Sequence, residues 1–250
     1  MSKYNKENPL RVFEAFAGYG SQSLALKRVK ARDRAKYGYS NGLNPDIEGF
    51  DFKVVGVSEI DPYAIKAYEA IHGECPNYGD ISKIDWSQVP DFDLFTYSFP
   101  CTDISNAGQQ KGLEEGSGTR SSLLWECCKA IEAKRPKYLL MENVKALVSQ
   151  KFLPFYKKWE QYLAALGYDN HCKVINAVEC GVPQNRERIF IFSILNNDKA
   201  FHFQEPIPLE TRLKDVLEQE VDDKYVLSDQ AIDGFLEHNK NHEEKGTGFI

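Results

Sequence analysis

Cys101 stands in Ser98-Phe-Pro-Cys101, directly after the apolar run Phe92–Ser98, with glycines at 108, 112, 116 and 118 behind it. A thiolate is a soft nucleophile that adds to electrophilic carbon. Pro100 fixes the backbone just before it, and a Gly-rich segment after it suits a lid. The same position also suits a buried structural thiol, and position alone leaves both readings open. Glu142 follows the run Tyr138–Met141, in Glu142-Asn-Val144. A carboxylate there is either a helix cap or a pocket acid able to share a proton with a heteroaromatic base. Gln184-Asn-Arg186-Glu-Arg188 adds two alternating arginines. On a strand both would face one side, where they either pair with carboxylates or grip an anionic or carbonyl-bearing ligand. The fourth constellation is Phe16-Ala17-Gly18-Tyr-Gly20. Small residues after a first strand let the backbone approach a ligand near a helix N-terminus. Glu59, followed by Ile60, ends a second apolar run, where a carboxylate can accept hydrogen bonds from a ribose diol. The pair points to a nucleoside-bearing cofactor. A P-loop is excluded, because no Gly-Lys-Ser/Thr follows these glycines.

Positioning these groups requires strands that end where they begin. Arg11–Phe16, Phe52–Ser58, Phe92–Ser98 and Tyr138–Met141 read as buried strands. Helical patterns fall between them, around Leu24–Val29, Tyr63–Ile71, Ser122–Ala133 and Pro154–Leu166. Asp61-Pro62 supplies an N-cap and an N1 proline for the second of these helices. This alternation predicts an α/β fold with a mainly parallel sheet. His171–Val178 and Arg188–Ile194 follow each other across a short Gly/Pro turn with no helix between, which predicts an antiparallel edge hairpin. Ligands in such sheets sit beyond the carboxyl ends of the strands, where all four constellations fall. Beyond Asn196 the pattern weakens, to one short helix at Leu213–Leu217 and a solvated loop at Lys240–Gly248.

Composition sets the bounds. The chain has 250 residues, 42% hydrophobic and 27% charged, enough for one large domain with a buried core. No apolar run reaches the roughly 18 residues of a membrane helix, and Met1–Pro9 lacks the apolar stretch of a secretory signal. The net charge of −6 argues mildly against a nucleic-acid partner, but 13 acidic against 6 basic residues lie from Leu195 onward. The preceding part is therefore close to neutral. The six cysteines form no C-x-x-C pair, which predicts reduced thiols in a cytoplasm and no metal site. Cys75, Cys127, Cys128, Cys172 and Cys180 read as structural, with at least one of Cys127 and Cys128 facing the core.

In this order, Phe-Ala-Gly-x-Gly at 16–20, Phe-Pro-Cys at 99–101, Glu-Asn-Val at 142–144 and Gln-x-Arg-x-Arg at 184–188 resemble the cytosine-C5 DNA methyltransferase family. The resemblance runs from about Arg11 to Ile194. It implies a Rossmann-like class I methyltransferase sheet that binds S-adenosyl-L-methionine. By resemblance, Phe16 lies on the adenine, Glu59 holds the ribose and Asp80, in Gly79-Asp-Ile81, meets the adenine amino group. Pro100 and Leu123 line the same pocket, with Ala17, Gly18, Gly20, Ile60 and Ile81 also at the cofactor. The resemblance further implies that Cys101 attacks C6 of a cytosine flipped out of double-stranded DNA. Glu142 then binds N3, Arg188 the ring carbonyl, and Arg186, Ser105 and Gln184 complete the substrate side. A cognate restriction endonuclease is an implied partner, and the context is bacterial or phage. An RNA cytosine is an alternative substrate, and a module that only binds cofactor or partner chains is the non-enzyme alternative. Three residues depart from the pattern: Glu14 stands where Asp is usual, Ser21 where Gly is common, and Thr102 where Gln usually follows the nucleophile. Residues 1–196 are expected to form the catalytic domain, and 197–250 a linker toward a target-recognition region that looks truncated.

Overall fold

The computed structural model describes residues 4–30, 51–100 and 123–244. Among these, strands β1 (Leu10–Ala15), β2 (Phe52–Ser58), β3 (Leu94–Tyr97), β4 (Tyr138–Val144), β5 (Tyr168–Asn176) and β6 (Glu187–Leu195) form one sheet. Its order is β2-β1-β3-β4-β6-β5. β1 pairs in parallel with both β2 and β3, and β3 with β4. β6 runs antiparallel to β4 and to β5. The parallel sheet and the antiparallel edge hairpin are thus both as expected, with one refinement. β6 enters between β4 and β5, so the later strand is the inner one.

That order decides where a ligand binds. The chain leaves β1 for β2 on one side and returns to β3 on the other. The carboxyl ends of β1 and β3 therefore flank a topological switch point, where crevices form in open α/β sheets. Because β6 is antiparallel, its first residues reach the same edge: Val144 at the end of β4 pairs with Arg188.

Helices α1 (Ser21–Lys30), α2 (Pro62–His72), α3 (Glu126–Lys134) and α4 (Leu153–Ala165) occupy the connections. α2 begins as its sequence demands: Asp61 accepts hydrogen bonds from the N–H groups of Tyr63 and Ala64, and Pro62 opens the first turn. One face of the sheet carries the main core, in which Phe13, Phe95, Tyr97, Leu139 and Met141 meet Trp86, Ile131, Trp159 and Leu163. Its aromatic rings pack edge to face or offset, with Phe13–Trp86 centroids 5.2 Å apart and Phe95–Tyr97 5.1 Å, the arrangements that ring quadrupoles favour. On the other face Tyr4, Leu10, Val12 and Leu94 form a smaller cluster.

Several details depart from the sequence reading. β5 stops at Asn176 rather than Val178, because the Asn176 Oδ1 accepts the N–H groups of Val178 and Arg186 and turns the chain. Cys127 is fully buried, but Cys172 and Cys180 are exposed. Those two are not core thiols: Cys172 is on the edge strand and Cys180 in the turn that follows it.

Contacts divide the chain into two compact units, Met1–Leu209 and Glu210–Ile250. The segment after β6 joins the first unit, since Phe201 packs on Phe192 at 5.0 Å and the Ile207 N–H donates to the Glu179 carbonyl at 2.8 Å. In the second unit the expected helix at Leu213–Leu217 is only a 3-10 turn, Leu213–Asp215. The part of the expected solvated loop up to Glu244 belongs to α5 (Asp229–Glu244), and the remainder lies outside the described residues. Lys240-Asn-His-Glu-Glu244 is polar throughout, which is why it reads as a loop, whereas Ile232, Phe235 and Leu236 recur at helical spacing earlier in the same helix. No helix among the described residues is long and apolar enough to cross a membrane.

Candidate active site

The glycine turn follows β1 directly. Phe16 adopts φ 56°, Gly18 φ 55° and Gly20 φ 80°, so three left-handed residues fold the chain back within five positions. For Phe16, which carries a Cβ, that conformation costs on the order of 1–2 kcal/mol. Such strain at a strand end marks a place where direction matters more than stability. The two glycines serve differently. A Cβ on Gly20 would lie 2.5 Å from His72 Nε2 and 2.6 Å from the Tyr68 ring, whereas a Cβ on Gly18 would meet nothing within 4 Å among the described residues. Gly20 lets the turn sit down on α2, and Gly18 faces open space.

Glu59, at the end of β2, is tied to this turn. Its Oε2 accepts the Gly18 N–H at 2.8 Å, and its Oε1 accepts those of Ile60 and Asp61 at 2.8 and 2.9 Å. A carboxylate has about four lone-pair sites. The one left, on Oε2, can take a single hydroxyl of a ribose. Ile60 beside it is 72% exposed, an apolar surface ready for a planar ring. Asn77 fastens the neighbouring loop: its Oδ1 accepts the N–H groups of Glu59 and Gly79, and its Nδ2 donates to the Glu59 carbonyl. Asp80 then caps the 3-10 turn Ile81–Lys83. The hydrogen bonds from Ser82, Oγ at 2.8 Å and N–H at 3.0 Å, hold its carboxyl below the ordinary range. The Ile81 side chain is buried in the main core, so only its backbone is available to a ligand. Ala17 is buried as well, and Phe16 and Leu123 are half-buried against that core.

On the other flank of the switch point, β3 leads to Ser98, Phe99 and Pro100. The approach to Cys101 is held at three places: Phe99 is buried, its carbonyl accepts Asn143 Nδ2 at 3.0 Å, and Ser98 Oγ accepts Gln22 Nε2 at 3.1 Å. Cys101 and Ser105 lie outside the described residues. Glu142, on β4, forms an ion pair with Arg188 of β6, Oε1 to Nε at 3.2 Å, and both side chains are about a quarter exposed. Acid and guanidinium thus stand together, as one bipartite group. Arg186 differs from expectation: it precedes β6 in an exposed turn, so strand alternation does not govern its side chain. Gln184 is exposed in the same turn.

Sequence reasoning passed over Asn143, Asn77, Gln22 and Ser98. Asn143 follows the selected Glu142, and Ser98 opens the motif that ends at Cys101, so adjacency could have found these two. Asn77 and Gln22 reach their partners, Glu59 and Ser98, only through space.

The profile of C-5 cytosine-specific DNA methylase matches residues 10–250. The chain belongs to this family. Among curated relatives, the Type II methyltransferase M2.ScrFI of Lactococcus lactis subsp. cremoris is 40% identical, over 89% of this chain and 71% of its own. Type II methyltransferase M1.ScrFI of the same organism is 39% identical, over 79% of this chain and 51% of its own. The S. pombe Dnmt2 methyltransferase superposes with a TM-score of 0.67 at 20% identity, covering 92% of this chain and 66% of that one, a likeness of fold. This member of the C-5 cytosine methylase family therefore spans between half and about seven-tenths of the length of these relatives. Its switch-point crevice is the family's candidate active site, on a class I methyltransferase sheet.

Proposed function

We propose that the chain carries the catalytic machinery for transfer of a methyl group from S-adenosyl-L-methionine to C5 of a cytosine in double-stranded DNA. The observation that carries this is the convergence, at one sheet edge, of the open Gly18 turn with Glu59, the braced approach to Cys101, and the Glu142–Arg188 pair. The crevice fits the donor, since Glu59 keeps one free acceptor site beside the exposed Ile60 and no side chain crowds Gly18. Glu59 would take a ribose hydroxyl, Phe16 and Ile60 the faces of the adenine, and Asp80 with the Ile81 backbone its amino edge. Pro100 and Leu123 would close the pocket. When bound, the donor supplies an electrophilic methyl group on a sulfonium.

The chain's own residues do the rest. The target base must leave the duplex stack to reach them. Glu142 holds the N3 edge and shares its proton, and Arg188 stabilises charge on the ring carbonyl. The Cys101 Sγ adds as thiolate to C6, and the displaced electron pair makes C5 nucleophilic. C5 takes the methyl group and loses its proton to a base, and the Sγ–C6 bond breaks to restore the ring. Arg186, Gln184 and Ser105 would contact the DNA. A cytoplasmic setting and a cognate restriction endonuclease agree with relatives named Type II methyltransferases.

The test uses duplex DNA containing 5-fluorocytosine, in which loss from C5 is blocked. A covalent adduct that requires S-adenosyl-L-methionine and is absent from Cys101→Ser supports the assignment. Binding of S-adenosylhomocysteine without an adduct on any DNA overturns it. Preference for an RNA cytosine in direct competition would redirect it to the alternative substrate.

A further inference from the structure

Beneath the glycine turn lies a polar cluster that the proposed mechanism does not use. Glu14, in the middle of β1, is fully buried. Its Oε2 accepts two hydroxyls, Ser23 Oγ of α1 at 2.9 Å and Tyr68 of α2 at 2.8 Å. These two hydroxyls are themselves 3.2 Å apart, so one carboxyl oxygen ties a strand to both flanking helices. Oε1 has no hydrogen-bond partner among the described residues. Tyr68 packs against His72 with tilted rings, their centroids 4.7 Å apart, and His72 Nε2 lies 3.1 Å from the Tyr19 carbonyl. The same two rings form the floor on which Gly20 rests. A continuous path of contacts thus runs from Glu14 through Tyr68 and His72 to the Tyr19–Gly20 peptide.

A carboxyl with one buried oxygen unpartnered is an expensive way to hold two helices, because an unmet acceptor carries its desolvation penalty. Burial also pushes this carboxyl above its ordinary pKa, against the hydroxyls that lower it. A leucine would fill the space without that cost. What a leucine lacks is a fixed acceptor that sets where the Tyr68 ring stands, and hence the height of the turn.

We propose that Glu14 is a positioning residue for the methyl donor, acting through Tyr68 and His72 to set the shape of the Phe16–Gly20 turn. This rests on the reading of that turn as the donor site. The acid touches no ligand. It fixes the floor, and the floor fixes the direction of the Gly18 N–H and the space above it.

The experiment is an equilibrium titration of the whole chain with S-adenosylhomocysteine, run beside thermal unfolding. Glu14→Gln keeps the side chain's shape and an oxygen acceptor for both hydroxyls, so its affinity is expected to stay within about twofold of wild type. Glu14→Leu and Tyr68→Phe are expected to weaken binding about tenfold. Hydrogen exchange should be faster at the Gly18 and Gly20 amides in both, under conditions where the chain remains folded. Tyr68→Phe loses a single hydroxyl and keeps the ring, so it tests the idea even if Glu14→Leu does not fold. If Tyr68→Phe binds like wild type and exchanges alike at the turn, the proposal is overturned, whatever happens to the melting temperature. If Glu14→Gln is as weak as Glu14→Leu, it is overturned too. A wild-type chain that fails to bind S-adenosylhomocysteine would instead remove the donor reading on which it stands.

Discussion

Asn143 illustrates how much of the site depends on single side chains that never touch a ligand. It is buried, and it donates to the Phe99 carbonyl two residues before Cys101. Asn143→Ala leaves that carbonyl without its partner, so a loss of about 1–3 kcal/mol of stability is expected. Turnover should fall more than donor affinity does, as steady-state kinetics with saturating donor would show. Glu14 gives a second expectation, in pH. Its folded-state pKa is raised above the ordinary value of 4.5 by burial, against hydrogen bonds from Tyr68 and Ser23. The folded chain therefore binds this proton more tightly than the unfolded one. The stability it contributes is complete below the unfolded pKa and is lost as pH rises through the folded one. Urea unfolding of wild type against Glu14→Gln should show the wild type losing ground as pH increases above about 4.5, with a flatter profile in the variant. Parallel profiles would refute that.

At the scale of elements, the β1–α1 turn concentrates the design. Gly18 and Gly20 look alike in sequence, yet one faces space and the other the rings of α2. Gly20→Ala should therefore lower both stability and donor affinity, by about 2 kcal/mol or more in stability for left-handed strain plus the clash. Gly18→Ala should cost about 1 kcal/mol and act mainly on donor binding. Calorimetric melting and donor titration on the two variants would separate these roles. A good deal of this was legible beforehand. Alternating short apolar runs and helical periodicity placed the strands, and the glycines, Glu59, Glu142 and Arg188 marked the strand ends. What could not be read was pairing across space. The order that inserts β6 between β4 and β5, the shared load on Glu59 and the bracing by Asn143 and Asn77 all join residues distant in sequence. Arg186 misled because alternation was counted from before the strand begins. α5 escaped because its apolar residues, Ile232, Phe235 and Leu236, are few among polar ones and Gly234 interrupts them.

For the whole molecule, one aromatic-rich core links the sheet to α4. Trp159 is almost fully buried, meeting Tyr97 edge to face at 6.1 Å and Trp125 edge to face at 5.7 Å. Trp159→Ala should cost about 3–5 kcal/mol, a large share of the roughly 5–15 kcal/mol by which domains are stable. Phe235 and Leu236 of α5 are each 63% exposed, and serine at either should change the main unfolding midpoint very little. Denaturant curves for the three variants check both statements.

The inner position of β6 also sets a timetable. During synthesis β1 to β4 can pair in parallel as they emerge, while β5, made before β6, has no strand to join. Every hydrogen bond of β5 within the sheet is to β6, and β6 brings Arg188 to Glu142 as it inserts. A nascent chain held on the ribosome before β6 has emerged would thus own the Phe16–Gly20 turn and Glu59, and no Glu142–Arg188 pair. The last event in building the sheet is the one that brings Arg188 to Glu142, so the acid of β4 stands without its guanidinium until that strand arrives.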